Sequence, residues 1–132
     1  MEEKLYKNYV ELQGMVSDKV IWGISKNGRF YCSFQLVLPH VNSYHFSVDR
    51  NSKEFIRSII FDRKKAKIAT ELKEKGFRGG LYVHLVGILQ TTRTEFKGFS
   101  IIQLMVFVKE IEVLKPNNKN DNGTTRLQKS NS

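Results

Sequence analysis

Between Phe55 and Phe61 the chain alternates with a period of two, and this constrains the fold more than any other stretch. In a β-strand, Phe55, Arg57, Ile59 and Phe61 share one face, while Ile56, Ser58 and Ile60 share the other. The second face is mainly aliphatic and suits a core. The first sets two phenyl rings around a guanidinium, which suits a flat, charged ligand that can stack. Single-stranded nucleic acid is such a ligand, because bases stack on aromatic faces and phosphates attract Arg and Lys. The same pattern also fits a strand buried on both sides, with Arg57 snorkelling to an edge.

Other segments carry the same period. Tyr9 to Val16 alternates as far as Leu12 and then meets Gly14, which predicts a bulge or a barrel corner; Val20 to Trp22 continues this edge. Asn27-Gly28 is a hairpin signal. After it, Phe30, Cys32, Phe34, Leu36 and Leu38 share one face, and Pro39 is expected to end the strand for lack of an N–H. His40 to Ser52 reads as a hairpin extension or a long loop. Its Tyr44, His45, Phe46 and Arg50 either wrap a single strand or pack on one another.

Asp62 is a plausible N-cap for a helix over Arg63 to Lys75, with Ala66, Ala69 and Leu72 on its docking face and Gly76 closing it. Lys64, Lys65 and Lys67 then read as its solvated face rather than as phosphate ligands. Leu81 to Gln90 is a further strand, and Thr91 to Gly98 reads as a polar turn holding Arg93, Phe96 and Lys97. The last strand runs from Phe99 to Leu114. Residues 115–132 are polar and basic, with almost nothing to bury, which predicts a disordered tail. The domain is therefore residues 1–114, all-β with one short helix between the third and fourth of five strands. That order is the OB-fold, a five-stranded Greek-key barrel, here with long hairpin extensions.

Charge points to a polyanion. The net charge is +9, with 18 Lys and Arg against 12 Asp and Glu as far as Leu114, and 4 against 1 beyond it. A lone Cys32 forms no internal disulfide, and His40, His45 and His84 show no zinc spacing. No P-loop, nucleophile elbow or paired carboxylates are visible, which argues against an enzyme, and no cofactor is expected. No apolar run approaches the ~20 residues that span a bilayer, and no signal peptide is visible, so a soluble intracellular chain is expected.

From Asn8 to Leu114 the sequence resembles the bacterial-type single-stranded DNA-binding proteins (SSB), a homotetrameric OB-fold family. The resemblance rests on the opening strand Asn8 to Gly14, the hairpin Asn27-Gly28 and Phe34-Gln35-Leu36 after it. It continues through the aromatic-x-Arg strand Glu54 to Arg57 with Phe61, Ala66 to Glu71 with Lys75-Gly76, and Gly87 to Thr91. It implies that Phe55 and Phe61 stack bases. Tyr44 would stand in for a family aromatic near Asn42, and Phe96 for one near Thr94. Arg50, Lys53, Arg57, Arg93 and Lys97 are the candidate phosphate ligands.

The resemblance also implies single-stranded DNA as partner and a homo-oligomer, tetramer or dimer, built partly on the edge strand Tyr9 to Met15. Its implied place is the bacterial nucleoid in the cytoplasm, or an organelle matrix such as the plastid stroma. The chain departs from the family at Leu127 to Ser132, which is basic where the family has an acidic tip, so docking of repair enzymes is not carried over. The alternatives are a primosome-type replication-restart factor, a protein-interaction OB module, and a nuclease, which would need clustered carboxylates. RNA is a further alternative ligand, since stacking and phosphate contacts do not read the sugar.

Overall fold

The computed structural model describes residues 5–115. Five strands and one helix follow in the order β1 (Val10–Ile24), β2 (Phe30–Val41), β3 (Val48–Phe61), α1 (Ile68–Glu74), β4 (Tyr82–Phe96) and β5 (Phe99–Leu114). The strands close into a barrel in the order β1-β2-β3-β5-β4. Neighbours are antiparallel except β3 and β5, which run parallel where Ser58 faces Val106 and Ile59 faces Phe107. This is the expected OB-fold. The long hairpin extensions are present too, since β2–β3 and β4–β5 run on as two-stranded arms.

Alternation along β2 and β3 sets the core. Cys32, Phe34 and Leu36 of β2 and Ser58 and Ile60 of β3 are buried, joined by Val16, Val83, Leu85 and Val106. Phe77, just after α1, packs edge-on against Phe34 at 5.3 Å, so the helix end plugs the barrel. Burial pushes the Cys32 thiol up to about 12, because a thiolate there would lose its water.

β1 serves two neighbours. Val10 to Met15 pairs with β4, and Met15 to Ile24 pairs with β2. The irregularity expected at Gly14 falls slightly later, between Val16 (opposite Leu36) and Val20 (opposite Phe34). Gly14 instead allows a close approach, since a Cβ there would collide with the Val37 carbonyl. Gly87 does the same at the β4–β5 bulge, where a Cβ would run into the backbone of Phe107.

Three boundaries differ from expectation. Pro39 does not end β2, which continues to Val41; the pairing jumps from Pro39–Lys53 to His40–Asp49, so the ladder breaks where Pro lacks a donor. The helix begins at Ile68, not Arg63, because Arg63 and Ala66 exchange backbone hydrogen bonds of 2.9 and 3.2 Å and fold Lys64-Lys65 into a turn. Asp62 still serves that helix from outside, accepting the Thr70 N–H at 3.0 Å and the Thr70 hydroxyl. Gly76 closes α1 as expected, with Phe77 N–H reaching the Leu72 carbonyl at 3.0 Å and Gly76 N–H reaching that of Lys73 at 3.1 Å. Finally, Thr91 to Phe96 is strand rather than turn, since each residue has a partner on β5 and only Lys97-Gly98 makes the bend. The tail beyond 115 lies outside the described residues.

Candidate nucleic-acid interface

The outer face of β3 keeps the order that its alternation predicts. Phe55 is 58% exposed, and Arg57, Ile59 and Phe61 are half-buried beside it. Neither ring joins the core cluster. Arg57 lies along the sheet and donates from Nη1 to Ser33 Oγ at 2.9 Å, which fixes the guanidinium between the two Phe positions. Lys53 is exposed, and by alternation it shares this face.

Phe61 is the more enclosed ring. The Arg29 guanidinium lies over it, 4.7 Å from its centroid. Phe107 of β5 stacks beside it at 6.1 Å and 28°, and Tyr31 of β2 leans on it at 5.7 Å and 59°. Phe61, Phe107, Ile59, Ile88, Gln90 and Arg29 line a groove of about 450 Å³. A second cleft of about 490 Å³ adjoins it, lined by Arg29, Phe30, Arg63, Lys64 and Lys67. Asp62 also lines that cleft, but its carboxylate is turned to Thr70.

The two arms carry the remaining candidates. Tyr44, 85% exposed, sits at the β2–β3 tip, where Asn42 Oδ1 accepts the N–H groups of Tyr44 and His45 at 2.8 and 2.9 Å. The tip aromatics do touch, Tyr44 edge-on to His45 at 4.8 Å, yet Tyr44 and Phe46 remain open to solvent. Arg50 lies near the start of β3. On the β4–β5 arm Phe96 is 57% exposed, with Lys97 Nζ 5.4 Å from its centroid. Phe96 has the same strand parity as Ile88 and Gln90, so it belongs to the groove face; Arg93 falls on the opposite face. Thus Phe55, Arg57, Phe61 and Lys53 come together on the barrel, Tyr44 and Phe96 stand out on arms, and Arg93 points away from the groove.

The cations are free to meet a polyanion. Among the described residues the ion pairs join His40 to Glu54 and His84 to Glu11, and no Lys or Arg is held by a carboxylate. Also among the described residues, no three His, Cys, Asp or Glu side chains are placed to hold a metal ion.

Sequence reasoning missed Phe107, Arg29 and Arg63. Phe107 gave no local signal, because the β3–β5 pairing that brings it to Phe61 is long-range. Arg29, directly after Asn27-Gly28, reads as a turn residue, and the lysines after Phe61 read as a helix face.

No protein-family model matches the sequence, and no curated protein does. Among solved structures, the chain is similar to a Plasmodium falciparum SSB in complex with ssDNA, with a TM-score of 0.65 and 19% identity. The match covers 83% of this chain and 96% of that one. At such identity the likeness speaks for architecture, and it agrees with the strand order: this chain is an OB-fold barrel.

Proposed function

We propose that the chain binds single-stranded DNA without catalysis and largely without regard to sequence, protecting it during replication, recombination or repair. One observation carries this reading: Phe55 and Phe61 stand outside the core on one sheet face, among cations that no carboxylate of the described residues neutralises. Bases would stack on the open ring of Phe55 beside the groove of Phe61, and Lys and Arg would replace the counterions of the phosphates. Stacking needs an unpaired base face, so duplex is disfavoured without any reading of base edges. The ssDNA bound by the P. falciparum SSB supports the same ligand here. No cofactor enters this mechanism.

The reading extends to a homo-oligomer, tetramer or dimer. Among the described residues, Val10 to Gly14 pairs with β4 on one side and has no register partner on β2, which leaves a backbone edge for a second copy. Light scattering gives the assembly state; a monomer at micromolar concentration would remove that part. The proposed setting is the bacterial nucleoid or an organelle matrix. A gel-shift assay with oligo(dT) at low salt tests the binding. A retarded band is expected, and an unshifted oligonucleotide defeats the proposal.

A further inference from the structure

Phe61 is poorly placed to offer a clean stacking surface, because Arg29 already lies over the ring and Phe107 and Tyr31 flank it. Arg29, by contrast, is held in place with its terminal amino groups open to solvent and to a ligand. Its Nε donates to the Asp62 carbonyl at 3.2 Å, and its guanidinium rests on the Phe61 ring. Its terminal amino groups have no protein acceptor among the described residues, and it lines both clefts. Arginine in that state matches a phosphate, whose oxygens accept from its planar fork.

We propose that Arg29, braced by Phe61, is a phosphodiester-binding subsite that turns the strand from the aromatic groove into the cleft of Arg63, Lys64 and Lys67. Phe61 then acts mainly as a positioning residue for a charge, while Phe55 does the open-faced stacking. Three features support this. The two clefts meet at Arg29 and Arg63. The Arg63–Ala66 bridge holds Lys64 in an exposed turn rather than on a helix. The nearest buried acid, Asp62, is occupied by Thr70.

The proposal rests on single-stranded DNA binding, and salt dependence separates the two claims. Each phosphate contact on a single strand contributes about 0.7 to the slope of log K against log salt. Fluorescence anisotropy with labelled oligo(dT) would be read over a salt series for wild type, Arg29→Ala, Arg29→Lys, Phe61→Leu and the double variant Lys64→Ala/Lys67→Ala. Arg29→Ala should lower the slope by about 0.7, Arg29→Lys should largely restore it, and the double lysine variant should lower it by up to about 1.4. Phe61→Leu, which keeps bulk but removes the ring, should also lower the slope, and combining it with Arg29→Ala should add little. An unchanged slope in Arg29→Ala or in the lysine variant, with wild type binding normally, overturns this subsite alone. A slope unchanged in Phe61→Leu, with affinity lost additively, overturns the bracing role. Wild type that fails to bind oligo(dT) overturns the functional reading itself.

Discussion

Ile59 of β3 stands opposite Phe107 of β5 in the parallel pairing that closes the barrel, and this contact delivers Phe107 to the side of Phe61. A residue from the last strand thereby completes a groove begun on the third. Phe107→Ala should weaken oligo(dT) binding roughly fivefold, or about 1 kcal/mol, by removing one groove wall. Anisotropy titration checks this; unchanged affinity would place the bound strand elsewhere.

Phe55 is the most open ring on the β3 face, so its loss should fall on binding and not on folding. Phe55→Ala is expected to cost about 1–3 kcal/mol of affinity. Its far-UV spectrum and melting temperature should match wild type, since the ring is 58% exposed and lies outside the core. A variant that melts early yet binds normally would assign Phe55 to packing.

Ser58 lies on the inward side of β3, fully buried, and its Oγ has no hydrogen-bond partner among the described residues. A buried hydroxyl left unpaired costs about 1–3 kcal/mol. Ser58→Ala should therefore stabilise the domain by about 1 kcal/mol, less whatever the lost packing costs. Urea unfolding measures it, and a clear loss of stability would mean that the hydroxyl is satisfied.

The faces of β3 are legible in the residues themselves, because Ser58 and Ile60 are buried while Phe55, Arg57, Ile59 and Phe61 are not, although Ile56 on the inward face is only half-buried. The Asn27-Gly28 turn, the helix closed at Gly76 and the span Phe99–Leu114 were equally plain, each set by local chemistry. Three local signals misled. Pro39 forbids a regular ladder but not a bulge, and the arm continues past it. The lysines after Asp62 are good helix formers, but the reciprocal bonds between Arg63 and Ala66 hold them in a turn. Thr91 to Phe96 is polar because an arm beyond the barrel faces water on both sides, not because the chain bends there. Of the candidate site, the shared face of Phe55, Arg57 and Phe61 is readable from one strand. Arg29 and Phe107 were not, since they reach Phe61 only through pairing between distant strands.

Cys32 gives the fold an alkaline limit. Its folded value of about 12 lies above the ordinary 9.0, so between these values the folded chain holds a proton that the unfolded chain has released. Stability from this group is complete below about pH 9 and is lost as pH rises towards 12. Over that window the wild type should lose up to about 1.4 kcal/mol per pH unit more than Cys32→Ala. Urea unfolding of both proteins across the window checks the difference. Parallel curves would contradict the buried thiol.

The central claim is that an exposed aromatic face with unpaired cations holds an unpaired strand. Its most direct test is a matched titration of oligo(dT) and a duplex of equal length over a salt series. The account predicts tighter binding of oligo(dT) at every salt concentration, with log K falling linearly against log salt. Equal affinity for the duplex, or binding of oligo(dT) that ignores salt, would contradict it.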